Sequence, residues 1–222
     1  MFENNIVNPK IIRILEREKI VPMKKLESIL FNINLPDRKA YQGSLLIAEP
    51  FLRECYFNHA VISLIEYNPS GTSMGLVLNK QTNYNLSDLI SNVSRPDAIP
   101  VYCGGPMSCD RMYVVHRLGD IVPGSRLIAN GLYVGGDFEM LIDYVNSDMP
   151  LEGYVRFCLG YSGWGAGQLD EELRKKVWAV ASVSNTENLL AGSEDAYWHR
   201  QVKQMGRDYR GWLYHPQNPR MN

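Results

Sequence analysis

The apolar residues of this 222-residue chain come in short runs, each cut off by turn-forming or polar positions. Residues 45–48, 60–65 and 177–183 are such runs, the second interrupted by Ser63. None approaches the roughly 18 to 20 residues that a bilayer-spanning helix needs. Short β-branched and aliphatic runs set between turns read instead as strands. Amphipathic stretches with three- and four-residue spacing lie among them, without the regular alternation of a doubly wound parallel sheet. The pattern predicts an α+β fold.

Along the chain, residues 1–40 read as a helical arm. Asn8-Pro9 opens a helix carrying Ile11, Ile12, Ile14 and Leu15, Val21-Pro22 breaks it, and Met23, Leu26, Ile29 and Leu30 resume it. Packing on the body is expected of this arm, before any role in oligomerisation. Residues 41–191 form the body. Strands over 44–48 and 60–67 are followed by an Asn68-Pro69-Ser70-Gly71 turn and a return strand over 75–79, which makes a hairpin. A short helix with Leu86, Leu89 and Ile90 is capped by Asn85 or Ser87, and strands follow over 112–116 and 126–133. Asp137 caps a helix over 138–145; then come a strand over 154–159, a helix over 168–176 and a strand over 178–183. In residues 192–222, Ser193 opens a helix with Trp198, Val202 and Met205 on one face. Gly206 ends it, and Tyr209, Trp212 and Tyr214 are expected to dock on the domain.

Charge excludes some partners. The formal net charge is −1, but residues 40–191 carry 10 Lys and Arg against 16 Asp and Glu. An acidic body disfavours direct nucleic-acid binding, since the phosphate backbone would have to be gripped by the chain ends. The first twenty residues interleave charges with aliphatics, and Cys55, Cys103, Cys109 and Cys158 form no CxxC pair. Reduced cysteines and a cytoplasmic location are therefore expected, with no membrane association.

Three glycine patterns could carry chemistry. Gly71-Thr72-Ser73-Met74-Gly75 satisfies GxSxG, yet the nucleophile elbow needs a strand before the serine and a helix after it. Here a turn precedes and a strand-like run follows, so the glycines read as hairpin residues. Gly160-Tyr161-Ser162-Gly163-Trp164-Gly165-Ala166-Gly167 lies between a strand and a helix, where phosphate loops sit. It matches neither GxGxxG nor a P-loop, and Asp170, Glu171 and Glu172 would repel a phosphate at that helix start. It reads as a tight strand-to-helix turn, open to a neutral or cationic ligand. Cys103-Gly104-Gly105-Pro106 is a third rigid turn; Cys103 and His116 lack an orienting third group. His59, His116, His199 and His215 have no metal-ligand spacing, so no metal and no cofactor are expected. The acidic pairs Asp137/Glu139 and Asp170/Glu172 read as helix N-terminal charges.

Taken in order, these segments resemble the YqgE/AlgH family. The resemblance rests on Gly43-Ser-Leu-Leu-Ile-Ala-Glu-Pro50, Phe57 with the strand over 60–65, and Met74-Gly75-Leu-Val-Leu-Asn79. The Gly104-Gly105-Pro106 turn and residues 160–169, with Trp178 beyond, complete it. Met107 stands where Val is expected, an apolar anchor either way. The resemblance implies a bacterial cytosolic protein with a branched sheet curled into an incomplete barrel and flanked by helices. It supplies no catalytic residues, and transcriptional regulation is a label attached to one branch. The expected function is non-enzymatic binding of a protein or small-molecule ligand, at a surface gathering Asn79, Gly104, Gly105, Pro106, Trp164 and Gln168, because binding surfaces form where elements end. A hydrolase using Ser73 or Cys103 is the alternative. The oligomeric state is not readable from the sequence.

Overall fold

The computed structural model describes residues 38–214; the helical arm expected over residues 1–40 lies almost wholly outside them. The chain divides into units over 1–35 and 36–222, so the C-terminal helix and tail share a unit with the sheet. Ten strands alternate with short helices: β1 (Leu45–Ala48), β2 (Val61–Glu66), β3 (Ser73–Val77), β4 (Gln81–Asn85), α1 (Leu86–Leu89), β5 (Pro100–Cys103), β6 (Met107–His116), β7 (Ser125–Ala129), β8 (Leu132–Gly135), α2 (Phe138–Asn146), β9 (Val155–Trp164), α3 (Gln168–Arg174), β10 (Trp178–Ala181), α4 (Thr186–Leu189) and α5 (Glu194–Gln204). A 3-10 stretch, Arg207–Tyr214, follows.

The sheet runs β10-β1-β2-β3-β9-β6-β8-β7, and it branches. One edge of β9 pairs with β6. The other edge takes two strands in succession: β5 in parallel at Phe157–Leu159, then β3 antiparallel at Ser162–Trp164. β4 hangs on β5. The fork falls at Gly160, whose φ of 69° lets the strand turn between its two neighbours. The branched, mostly antiparallel sheet curls into an incomplete barrel with helices on its faces, an α+β fold.

Each arm of the fork covers its own core. On one side, Leu141, Ile142 and Val145 of α2 pack against Val101, Val114 and Phe157. On the other, Leu46, Ile62, Val77 and Val180 pack with Trp164, Trp178 and Leu169 of α3. The five consecutive buried residues of β2, Val61 to Ile65, show why a continuous hydrophobic stretch fits here, for both faces of that strand are covered.

Several local expectations change. The single strand expected over 126–133 is the β7–β8 hairpin, because Asn130 and Gly131 both take positive φ (37° and 74°) and make a primed two-residue turn. The strand expected over 154–159 continues to Trp164, so the glycine-rich segment is half strand, and its turn is confined to residues 165–167. Strands β4 and β5 were not anticipated; the sequence Gln-Thr-Asn-Tyr-Asn of β4 has no apolar alternation and lies mostly exposed. Ser193 occupies the N-cap of α5 without a side-chain bond, and the backbone carbonyl of Asn79 takes the Glu194 N–H at 2.6 Å instead. Trp198 of α5 donates to Ala48 O at 3.0 Å and stacks on Trp212 of the tail. Among the described residues, no helix is long and apolar enough to cross a membrane.

Candidate functional site

The Gly104-Gly105-Pro106 turn is the keystone of the fork. Gly104 N–H donates to Leu159 O (2.7 Å), and Gly104 O accepts from Val77 N–H (2.9 Å) and Ser162 Oγ (3.2 Å). A side chain on Gly104 would strike the Gly160 carbonyl, so only glycine allows β3, β5 and β9 to meet here. Pro106 and Met107 then emerge beside the end of β9.

There the chain encloses a groove of about 450 Å³. One wall is Pro106 and Met107, a second is Trp164 with Gln168 and Glu172 of α3, and Phe57 and Trp178 close the third. Phe57 meets Trp178 edge-on at 5.6 Å, and Trp164 meets Trp178 edge-on at 6.3 Å, the favoured quadrupolar arrangement. Glu172 ties the wall together. Its Oε2 accepts from the indole N–H of Trp164 (2.8 Å) and of Trp178 (2.7 Å), and its Oε1 accepts from Gln168 Nε2 (3.0 Å). Every one of these donors is neutral, and among the described residues no ion pair engages Glu172. The carboxylate thus stands at the edge of an aromatic wall with its bonds made to neutral donors. Its neighbour Asp170 accepts the Tyr67 hydroxyl at 2.7 Å, and burial with that bond pushes the Tyr67 phenol up to about 12. These acids are thus specific acceptors rather than bare dipole charges.

Of the six residues expected to form a binding surface, Pro106, Trp164 and Gln168 line this groove. Gly104 and Gly105 carry Pro106 to it and are themselves buried. Asn79 does not line it. Fully buried, it accepts from Val61 N–H (2.8 Å) and donates to His59 O (2.9 Å) and Glu194 O (3.1 Å). Its side chain is consumed in fastening α5 to β2. Phe57, Met107, Glu172 and Trp178 belong to the groove and were not singled out for it. Phe57 and Trp178 stand in the family-like segments, whereas nothing in the spacing marks Glu172 as the acceptor of two indoles.

The two nucleophile candidates sit elsewhere. Ser73 opens β3, is buried, and accepts the Asn68 N–H at 3.1 Å, which closes the hairpin turn. Burial pushes the Cys103 thiol up. Among the described residues no histidine bonds to either. His59 stacks on Trp198 at 4.2 Å with Nδ1 3.0 Å from Asp195 Oδ1; His116 Nε2 faces Gly135 O at 2.9 Å. No group of three or more His, Cys, Asp or Glu side chains among the described residues is placed to hold a metal ion.

An AlgH-like family model matches residues 45–210. A protein named UPF0301 from Parabacteroides distasonis is 41% identical over 194 residues, covering 87% of this chain and 97% of its own. One from Bacteroides thetaiotaomicron is 36% identical, covering 89% and 99%. Among solved structures, the AlgH protein of Pseudomonas aeruginosa superposes with a TM-score of 0.59 at 25% identity, over 81% of this chain and 98% of that one. A Corynebacterium diphtheriae protein reaches 0.63 over 80% and 94%; at 23% identity, it speaks for the fold alone.

Proposed function

We propose, from the premise that this chain belongs to the AlgH-like family, that it is a non-enzymatic binding protein whose groove takes a neutral or positively charged group of its ligand. One observation carries the reading: the Glu172 carboxylate, held only by neutral N–H donors, stands at an aromatic wall beside a groove of about 450 Å³. Three rings and an anion favour a cationic or amide-bearing group through the ring quadrupoles and the residual charge, and they disfavour a phosphate. The Lys175 side chain also lines the groove, and its neighbour Glu171 neutralises it at 2.6 Å.

The test uses the indole N–H resonances, because the chain has four tryptophans and only Trp164 and Trp178 face the groove. In ¹H–¹⁵N spectra, titration with N-acetyl-lysine methylamide or arginine methyl ester is expected to move the Trp164 and Trp178 indole peaks. The Trp198 and Trp212 peaks stay fixed. Equal shifts with inorganic phosphate, or no shift with any probe, would refute the reading. A consequence for transcription then runs through the bound partner, in keeping with the acidic body. A gel shift with purified protein over a salt series tests the direct alternative: salt-dependent retention of duplex DNA would replace this reading.

A further inference from the structure

Two thiols converge on one carbonyl beside the fork. Cys103 ends β5, and Cys109 lies in the exposed first half of β6, with the Gly104-Gly105-Pro106 turn between them. The Sγ of Cys103 lies 3.9 Å from Gly105 O, and the Sγ of Cys109 lies 3.7 Å from that same oxygen. Cys109 also approaches Pro106 O at 3.3 Å. The two sulfurs therefore share a single acceptor. The backbone around Cys109 is loosely tied. β6 loses its register with β9 between Met107 and Met112, and Ser108 takes a positive φ of 49°. The two cysteines also differ in access: Cys109 is exposed, and Cys103 is half-buried with its thiol pushed up by burial.

We propose that Cys103 and Cys109 form a peroxide-responsive dithiol site, with Cys109 as the attacking sulfur and Cys103 as the resolving one. The Cys109 thiolate attacks one oxygen of a hydroperoxide. An S–O bond forms, the O–O bond breaks, and the departing oxygen leaves as water or alcohol, giving a sulfenic acid. Cys103 sulfur then attacks the Cys109 sulfur. The S–S bond forms as the S–O bond breaks, and the departing hydroxide takes the Cys103 proton as water. Two thiols are oxidised, one peroxide is reduced, and residues 104–108 are closed in a loop. The site stands independently of the ligand proposed for the groove, although Pro106 and Met107 of that loop form one groove wall.

The experiment treats the purified full chain with hydrogen peroxide, blocks remaining thiols with N-ethylmaleimide, and maps the tryptic segment that holds both cysteines. The expected product is a segment 2 Da lighter than its reduced form, lacking maleimide at both positions. Cys103→Ser is expected to leave a dimedone-reactive sulfenic acid on Cys109, Cys109→Ser to abolish the bridge, and Cys55→Ser to leave it intact. Cys55 is the decisive control, since it is also near enough to perturb the Cys103 thiol. A bridge from Cys55, a disulfide-linked dimer through Cys109, or over-oxidised Cys109 without any bridge overturns the proposal.

Discussion

Replacing Asn79 by Asp isolates the work of a single buried amide. One oxygen survives the exchange and still accepts the Val61 N–H. The amide nitrogen, which donates to His59 O at 2.9 Å and Glu194 O at 3.1 Å, becomes a second oxygen facing two carbonyls. Each buried carbonyl left without its donor costs about 1–3 kcal/mol, so the variant is expected to lose about 3 kcal/mol at neutral pH. With a urea slope of ~2 kcal/mol/M, the unfolding midpoint falls by about 1.5 M. The sign of the pH dependence is fixed as well. Burial raises the new carboxyl above its unfolded value of about 3.9, so the penalty grows as pH rises past that value and shrinks on acidification. Protonation restores one donor, and Asn79→Asp should recover part of its deficit at pH 4.5 relative to the unmutated chain at the same pH. Urea titrations of both proteins at pH 7.5 and 4.5 give the comparison. A deficit under 0.5 kcal/mol, or one that widens in acid, refutes the assignment of Asn79 as a fastener.

Arg156 is 2% exposed, donates to Leu78 O and to Gly192 O (2.9 Å), and lies 4.0 Å from the Tyr102 ring centroid. Arg156→Met removes both donors and a desolvated charge, terms that oppose each other, and a net loss of about 2 kcal/mol is expected, with hydrogen exchange faster in α5. A variant as stable as the parent would show that desolvation outweighs these contacts. Burial holds the His116 imidazole below its usual range, and its Nδ1 accepts the Leu118 N–H at 3.1 Å, so the neutral ring is the folded form. Its contribution is complete above about pH 6.5 and is lost as pH falls below that value, by at most about 1.4 kcal/mol per pH unit. His116→Gln should flatten the stability–pH curve over that interval. Cys158 is buried with its thiol pushed up to about 12, and Cys55 and Cys109 are exposed. Ellman's reagent at pH 8 should label Cys55 and Cys109 fast and Cys158 only after denaturation.

The parts of the fold legible in the sequence are those where local chemistry and tertiary demand agree. The Asn68-Pro69-Ser70-Gly71 turn, the Asp137 cap (accepting Met140 N–H at 3.1 Å) and the apolar stripe of α2 follow from residues close together in the chain. β4 was illegible because its ladder with β5, not its own side chains, makes it a strand. The site divides in the same way. Pro106, Trp164 and Gln168 stand at element ends that the glycine pattern marks, and they do meet in one groove. Asn79 shares with them only a place just beyond a strand end. Its three partners, at residues 59, 61 and 194, could not be read from a pattern of turns. Glu172 was hidden for the opposite reason: four residues after Gln168 and six before Trp178, it looks like an ordinary helix-start acid until the sheet brings Trp164 against it.

The shared strand β9 also sets a timetable. Phe157 belongs to one core and Trp164 to the other, so neither half of the sheet is closed without residues from the same ten-residue segment. During synthesis, the β1–β3 hairpins leave the ribosome long before that segment, with their apolar faces uncovered. The nascent chain thus has no finished half to set aside, and premature release before Trp164 should yield aggregating fragments rather than a stable sub-domain.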